Sequence, residues 1–378
     1  MIKKNNQTQT ASYFCILCIL FCPFVLRLIG TQDFLSSTAS IIIISICWTI
    51  CWALNFKETT KIAELIIFII NCLFLILSML RNGSLGVVIT YYNIMVGLMV
   101  LNNISFSSRQ IKTIRFFEVF LLTSLLLSFS YTWQYGSIWV YDGDNHINSN
   151  TYGILLLLLY LNIMCLIDSF TLKVRKKIIL LVVLTIVAIY YIGQSGCRSA
   201  IIAVLTFFVL NIYKQYKYKK FLLFFVIMGI TLPVIYISMY EILGNVEFLG
   251  KNLFSGRQML WRNTWNAIKE ALFLGSGTTE KIQIGNGLAT DSTHNVYLAF
   301  WKTIGIVPLI SFIWLLFRGK NTNWALYNNS VNRKAFLSCM IICMVETLLN
   351  DNNYNYLVML FLMEAEGKVS SGGNNNDT

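Results

Sequence analysis

Long apolar runs separated by short polar breaks recur along almost the whole chain. Most of these runs are about as long as a helix that crosses a bilayer. We place about twelve of them, at 11–30, 38–55, 62–80, 84–101, 116–131, 151–168, 178–192, 199–213, 221–240, 296–317, 335–349 and 353–364. Because a backbone inside lipid must satisfy its own hydrogen bonds, the pattern predicts an all-α polytopic membrane protein with about twelve transmembrane helices.

One long polar segment, 241–295, interrupts this pattern. It contains no apolar run of spanning length, so we expect it to lie outside the lipid and to carry the function. The chain then divides into helices 1–9 in 1–240, an external catalytic loop in 241–295, helices 10–12 in 296–366 and a tail in 367–378. Because the tail is rich in Asn, Gly and Ser, we predict that it is disordered and cytoplasmic.

Composition supports a membrane protein and limits the partners. Apolar residues make up 56% of the chain and charged residues 12%, which excludes an ordinary soluble domain. In a soluble chain the net charge of +12 would suggest a nucleic-acid partner. Here most Lys and Arg residues fall in alternate breaks, as expected for loops on the cytoplasmic side. We therefore predict a multi-pass protein of the plasma (inner) membrane, with both termini cytoplasmic and no nucleic-acid partner.

Some basic residues oppose this topology signal because they fall on the predicted external side. They are Arg198, Lys251, Arg257, Arg262, Lys269 and Lys281. External cations of this kind suggest an anionic ligand. A long translocated loop also tolerates charge, and this alternative stays open for Lys251, Lys269 and Lys281.

Arg198 lies in the sequence QSGCRSA, a tight turn between two predicted helices. Glycine lets the backbone turn sharply, and the next helix presents its N-terminal N–H groups and the positive end of its dipole. An arginine beside such a helix start makes a site that fits a phosphate. The alternative is an arginine that extends to lipid headgroups.

Arg257 opens a predicted amphipathic helix over 256–272, with Ser255 as its N-cap. Trp261, Trp265, Ile268 and Leu272 recur at helical spacing, which favours a helix on the membrane surface. Arg257 falls on this apolar stripe and therefore needs an anion. Arg262 and Lys269 point elsewhere, which favours contacts with solvent or headgroups.

His294 precedes the helix predicted from 296, after the capping candidates Asp291, Ser292 and Thr293. A helix N-terminus disfavours imidazolium, so the neutral ring could accept a proton or a hydrogen bond. A structural histidine is the alternative.

The other histidine, His146, lies in a polar loop with Asp142 and Asp144. Two carboxylates in a flexible loop are a weak metal signal, and we predict no metal site.

The order of these motifs resembles the O-antigen ligase and polysaccharide repeat-unit polymerase (Wzy-type) superfamily. SGCRSA at a helix–helix turn is followed by SGRQMLW and LGSG in one long loop, and then by THNVYLAFWKTIG opening a helix. The segment 142–153, in which Asn150 enters a helix, is similar to a further family feature. Asn295 departs from the family pattern, which leaves the subfamily open.

The resemblance implies a GT-C-like architecture and a site that needs neither metal nor nucleotide cofactor. It implies that Arg198 and Arg257 bind a lipid diphosphate and that His294 takes part in catalysis. We predict Arg198, Arg257, Arg262, Asn150 and Asn295 as substrate-binding residues. Trp133, Tyr135 and Trp139 could stack on sugar rings, or could anchor the chain at the membrane interface.

The expected activity is a polymerase that transfers a glycan from polyprenyl diphosphate to the sugar of another lipid-linked repeat unit. Its partners would be that donor and acceptor, the bilayer and a chain-length regulator. We choose polymerase over ligase because a composition rich in Lys, Ile and Asn suggests a low-GC bacterium, in which a lipid A acceptor need not exist.

A flippase or transporter of the same lipid-linked glycan is the competing class. The predicted helices offer it few ionisable residues, no paired broken helices and no inverted repeat. A membrane scaffold is a third alternative, for which alanine at Arg198, Arg257 or His294 would change only abundance.

Overall fold

Helices form most of the chain, and each predicted apolar run contains at least one. The computed structural model describes residues 2–28, 38–56, 62–82, 84–134, 137–142, 145–213, 217–244, 246–248, 251–252, 257–277, 282–285, 288–290, 292–318, 330–346, 348 and 355–365. Several predicted features lie outside these residues, namely Tyr135, Asp144, Ser255, Lys281, Asp291 and the tail 367–378.

The helices differ in length and are interrupted by short strands. In chain order they are α1 (Ile2–Leu28), α2 (Thr38–Leu54), α3 (Ile62–Asn82), α4 (Leu85–Asn103), α5 (Ser108–Ser128), α6 (Ser149–Asp168), α7 (Val174–Ser195), α8 (Arg198–Ile212), α9 (Tyr218–Ser238), α10 (Tyr240–Leu243), α11 (Arg257–Glu270), α12 (Val296–Ile304), α13 (Ile306–Phe317), α14 (Val331–Cys343) and α15 (Asn355–Leu360).

Within the described residues, six helices are long and apolar enough to cross a membrane: α1, α3, α4, α6, α7 and α9. Helices α2, α8 and α13 are apolar but shorter. This pattern agrees with a multi-pass, all-α membrane protein, whereas the count of twelve spans stays a prediction. Helix α5 contributes to this difference. It begins at Ser108, where Ser107 and Gln110 form a capping box, and it therefore includes charged residues that lie before the predicted run 116–131.

The core lies where α4, α6 and α14 meet their neighbours, and it contains charge. Arg115 and Glu118 are both buried and form an ion pair of 2.6 Å. Arg115 also donates to the side-chain oxygen of Asn162 at 2.9 Å and to the carbonyl of Leu360 at 2.7 Å. Both terminal nitrogens of Arg115 are thus used, whereas its Nε has no hydrogen-bond partner. A buried cation is tolerated when its charge is paired in this way.

The run predicted as one helix over 296–317 is two helices, because the chain turns at Gly305. This residue has φ +91°, and a Cβ there would collide with the carbonyl of Phe273. The segment after α11 packs against this turn, where Ser276 N donates to Lys302 O at 2.6 Å. Arg81 Nη1 also donates to Gly275 O at 3.0 Å, which ties the end of α3 to the same segment.

Short strands structure the polar segments. Strands β2 (Ser130–Gln134), β3 (Ser137–Asp142) and β4 (Asn145–Ile147) form an antiparallel sheet between α5 and α6. The remaining strands pair two by two, β1 with β9 in parallel and the others antiparallel: β1 (Ser105–Phe106), β9 (Glu364–Ala365), β5 (Glu247–Phe248), β6 (Lys251–Asn252), β7 (Ile282–Gly285) and β8 (Leu288–Thr290).

Part of the apolar stripe of α11 packs into the protein. Leu260, Trp261 and Ile268 are at most 4% exposed, in a cluster that includes Tyr236 of α9 and Leu298 of α12. Elements remote in sequence therefore cover Trp261 and Ile268 of the predicted stripe, whereas Trp265 is partly buried and Leu272 is exposed, and the placement on the membrane surface stays a prediction. Helix α11 also fixes the loop before α12, since Trp261 Nε1 donates to Thr293 O at 3.0 Å.

Candidate active site

The carboxylate of Glu346 joins three residues that the sequence analysis singled out. The guanidinium of Arg257 donates through Nη2 to Glu346 Oε1. Asn150 Nδ2 donates to the same oxygen at 2.9 Å. His294 Nδ1 lies 2.7 Å from the other oxygen, Oε2. These residues are far apart in the chain, so the fold alone brings them together.

Local structure places Glu346 between helix starts. Helix α14 ends at Cys343, and the chain bends so that Glu346 N donates to Ile342 O at 2.7 Å. Asn150 lies in the first turn of α6, and Arg257 is the first residue of α11. The N-terminal ends of helices favour negative charge, which suits a carboxylate here.

Sequence reasoning missed Glu346. It lies within the apolar run predicted as a helix over 335–349, and its charge was not considered. The available signal was that same charge, because an ionisable residue inside an apolar run is costly unless it has a function or a partner. The helix stops before Glu346, which frees its side chain to face α6 and α11.

The backbone of His294 is held in an unusual conformation. Its φ of +47° makes it the one non-glycine residue with positive φ in the described part of the chain. Non-glycine residues adopt this region at an energetic cost, and such outliers concentrate at functional sites. Contacts on both sides hold it, since Trp261 binds the carbonyl of Thr293 and Asn295 anchors the following residue.

The side chain of Asn295 anchors its loop, because its amide nitrogen and oxygen both form hydrogen bonds within the protein. Its Nδ2 donates to Gly229 O at 2.8 Å and to Met344 O at 2.7 Å, and its Oδ1 accepts from Leu298 N at 2.9 Å. The side chain is fully buried. The geometry thus favours a positioning role for Asn295 over the predicted substrate contact, since it ties the His294 loop to the segment that carries Glu346.

Arg198 approaches the cluster as a second cation. It is the first residue of α8, directly after Gly196 with φ +71° and Cys197, and its Nη1 donates to Asn252 O at 2.6 Å. Burial lowers the pKa of the Arg198 guanidinium, and the Arg257 cation lowers this pKa further. Arg198 and Arg257 are the first residues of α8 and α11, and an anion bound by both guanidinium groups would relieve the repulsion between their charges.

Close packing holds the Arg198 turn against α6. A Cβ added to Gly153 would collide with the side chain of Cys197 and approach the Ser195 hydroxyl to 2.9 Å. The absence of a side chain at Gly153 lets the start of α6, with Asn150, lie directly on the turn before Arg198.

The structure does not bring the other candidates to this cluster. Arg262 is exposed, on a different face of α11 from Arg257 and Trp261. His146 is exposed on β4 and packs on Trp139, with ring centroids 4.7 Å apart. In the part of the chain that the structure describes, no three His, Cys, Asp or Glu side chains are grouped to hold a metal ion.

The arrangement suits acid–base chemistry beside an anion. With Glu346 accepting a hydrogen bond from Nδ1, the basic nitrogen of a neutral His294 ring is Nε2. The carboxylate side chain is 9% exposed and the imidazole 34%, so the ring is open to a reacting group while its partner is covered. The Arg198 guanidinium adds a second positive charge near this cluster.

The apolar helices indicate a multi-pass membrane protein. Its polar site resembles that of an enzyme, because it contains a covered carboxylate, a histidine and arginines. Residues 180–313 match the family model for O-antigen ligase, so this part of the chain is similar to the Wzy/O-antigen ligase superfamily. Arg198, Arg257 and His294 lie inside the matched stretch, whereas Asn150 and Glu346 lie outside it. No curated protein and no solved structure gives a significant match.

Proposed function

We propose that this protein is a repeat-unit polymerase for O-antigen or capsular polysaccharide. It transfers a glycan from polyprenyl diphosphate to the sugar of a second lipid-linked repeat unit on the external membrane face. The observation that carries the proposal is the Glu346–His294 pair beside Arg257 and Arg198. Such a site supplies both a base for the acceptor and cations for the leaving group.

Arg198 and Arg257 hold the donor diphosphate in this mechanism. Arginine keeps its charge, and its planar fork can bind two phosphate oxygens at once. As the bond between the anomeric carbon and the diphosphate oxygen breaks, negative charge grows on the leaving group. The two cations then stabilise the transition state more than the ground state.

His294 acts as the general base for the acceptor hydroxyl. Nε2 takes the proton as the acceptor oxygen bonds to the anomeric carbon, and the diphosphate leaves with the electron pair of the broken bond. Glu346 holds Nδ1–H and stabilises the imidazolium that forms, as a carboxylate does in a catalytic triad. Asn150 and Asn295 position the carboxylate and the histidine loop.

The membrane arrangement that we propose has about twelve spans, a GT-C-like architecture and both termini in the cytoplasm. The described apolar helices and the alternating basic breaks support it. The segment 241–295 then lies outside the membrane, where a polyprenyl-diphosphate glycan and a chain-length regulator could reach it. No step of the mechanism requires a metal or a nucleotide.

The second candidate is a ligase that transfers the finished glycan to a different acceptor. It is favoured by the matched family model, which is described as an O-antigen ligase. The two activities need the same donor site and the same base, so the nature of the acceptor alone separates them.

Transfer by purified protein in liposomes tests the proposal. Synthetic polyprenyl-diphosphate repeat units are the substrate, and glycan products are separated on a gel. A ladder that His294→Ala abolishes and His146→Ala preserves supports the polymerase. Single transfer to an added acceptor identifies a ligase, and folded protein that transfers nothing overturns both.

A further inference from the structure

Helix α9 contains a proline four residues after a carbonyl that the candidate site uses. Pro233 lies inside α9, where it is buried. In a regular α-helix the N–H of residue 233 would donate to the carbonyl of residue 229. Proline has no N–H, and its ring also crowds that carbonyl. Pro233 therefore releases Gly229 O from the hydrogen-bond pattern of α9 and leaves it available to a neighbouring element.

The released carbonyl is bound by Asn295, which directly follows the proposed base. Asn295 Nδ2 donates one hydrogen to Gly229 O at 2.8 Å and the other to Met344 O at 2.7 Å. Met344 is the C-cap of α14, so its carbonyl also lies where a helix has no further backbone donors. The amide of Asn295 thus joins two helix interruptions.

The close approach of α9 and α12 makes this contact possible. A Cβ added to Gly229 would collide with the ring of Tyr297 on α12. Glycine therefore lets the start of α12 lie directly against the turn of α9 that Pro233 opens. Thr231 acts on the same turn, because its hydroxyl donates to Ile227 O at 2.9 Å, a bond that often bends helices.

The part of α9 beyond Pro233 holds the other side of the His294 loop. Tyr236 is buried and packs edge-on against Trp261, with ring centroids 5.6 Å apart. Trp261 in turn donates to the carbonyl of Thr293 at 3.0 Å. The two parts of α9 therefore hold the residues before and after His294. Because a proline inside a helix kinks it, Pro233 sets the direction of one part relative to the other.

We propose that Pro233 is a positioning residue for His294, which it holds through the Gly229 carbonyl and Asn295. This inference rests on the proposed function, because it names a residue that orients the proposed base. His294 has a φ of +47°, which is costly and persists only when the surrounding contacts fix it. A continuous α9 would return Gly229 O to its own helix and weaken the hydrogen bond from Asn295.

Restoring the missing N–H tests the proposal, because stability and catalysis should then change in opposite directions. Pro233→Ala completes the hydrogen-bond pattern of α9, so thermal unfolding in detergent should occur at the wild-type temperature or above it. We expect kcat to fall roughly three- to tenfold, as for the loss of about one hydrogen bond, with KM within about twofold. Pro233→Val, which restores the same N–H with a larger apolar side chain, should behave alike.

A double-mutant cycle tests whether Pro233 acts through Asn295. Pro233→Ala should change kcat by less than about twofold in Asn295→Ala, where the amide is already absent. Pro23→Ala is the matched control. Pro23 is buried inside a helix too, but that helix, α1, carries none of the residues that bind Glu346. It should leave kcat unchanged. Losses that multiply in the double variant would overturn the route through Asn295.

Chemical modification of His294 gives a readout that does not need turnover. The sequence holds two histidines, so His294 is the one histidine left in His146→Ala purified through a tag without histidine. Its reaction with diethyl pyrocarbonate is followed by the absorbance of carbethoxyhistidine. Adding Pro233→Ala loosens the loop and should speed this reaction by roughly threefold or more. Adding Pro23→Ala should not change it.

The outcomes separate this inference from the proposed function. Faster modification of His294 in Pro233→Ala supports the positioning role even if no variant transfers a glycan, whereas folded wild type that transfers nothing contradicts the polymerase. Modification at the wild-type rate, or an unchanged kcat, overturns the positioning role and leaves the polymerase standing. A lower kcat that accompanies a lower unfolding temperature in both variants at position 233 indicates general disruption and also overturns it.

Discussion

Nδ1 of His294 lies 2.7 Å from Oε2 of Glu346. This contact joins the loop before α12 to the bend after α14, and it fixes which ring nitrogen faces a substrate. Glu346 also binds Arg257, so one carboxylate holds both the proposed base and a proposed diphosphate ligand. The account of catalysis depends on this shared carboxylate.

Replacing Glu346 tests whether the carboxylate positions the base. Glu346→Gln keeps the volume, but it removes the charge that favours Nδ1–H and stabilises imidazolium. We expect kcat to fall by roughly 10²–10⁴-fold and the pH profile of kcat to change shape. Glu346→Asp should recover part of the rate. A Gln variant with normal kcat and an unchanged profile would leave Glu346 a purely structural residue.

The positive φ of His294 predicts that its glycine and alanine variants differ in stability. Both His294→Gly and His294→Ala remove the base and should abolish transfer. Glycine accepts φ of +47° without strain, so His294→Gly should be more stable than His294→Ala by about 1 kcal/mol. Thermal unfolding in detergent measures this difference. Equal stability of the two variants would mean that the left-handed conformation is not strained.

Arg257 and Arg262 lie on the same helix and form a matched pair. Arg257→Lys keeps a charge but loses the planar fork, and we expect kcat/KM to fall roughly 10- to 100-fold. Arg262→Lys, at an exposed position on another face, should stay within about twofold of wild type. A larger effect at Arg262 than at Arg257 would contradict the assignment of the donor site.

Asn295 should matter for stability and for kcat together. Asn295→Ala leaves the carbonyls of Gly229 and Met344 without their donor, at a cost of about 1–3 kcal/mol for each buried group. The loosened His294 loop should lower kcat with little change in KM. Thermal unfolding and steady-state kinetics test both parts. A rise in KM with kcat preserved would instead indicate direct substrate binding by Asn295.

Close packing at Gly153 provides a steric test. Gly153→Ala places a methyl group against Cys197, so the turn before Arg198 must shift, which typically costs about 1–3 kcal/mol. Gly193→Ala is the control, because a Cβ there meets nothing within 4 Å. We expect reduced stability and transfer for the first variant and neither for the second. Wild-type behaviour of Gly153→Ala would show that the turn adjusts freely.

Local pattern was enough to find the helices and the motif residues, because apolar length and helix starts are properties of short segments. It suggested that Arg257 needs an anion, but it could not show that Glu346 supplies one. That contact depends on where α14 stops, and an apolar run gives little sign of its own end. The turn at Gly305 and the burial of the α11 stripe were missed for the same reason, since distant segments determine both.

The β2–β3–β4 sheet shows a second limit of prediction from the sequence. Its aromatic residues were noticed as sugar-stacking or anchoring candidates, but strand register decides which of them share a face. Trp133 lines an apolar pocket together with Tyr131 and Tyr152, whereas Trp139 packs on His146. The pairing of β2 with β3 was not visible from hydrophobic periodicity alone.

The most direct test of the central claim is a single-turnover reaction of purified protein with a radiolabelled polyprenyl-diphosphate repeat unit and an unlabelled acceptor unit. Wild type and Glu346→Gln are compared, with donor binding measured separately. The account predicts that wild type joins the two units and that Glu346→Gln binds the donor but transfers at least roughly 10²-fold more slowly. Equal transfer rates in the two proteins, with the donor bound, would contradict it.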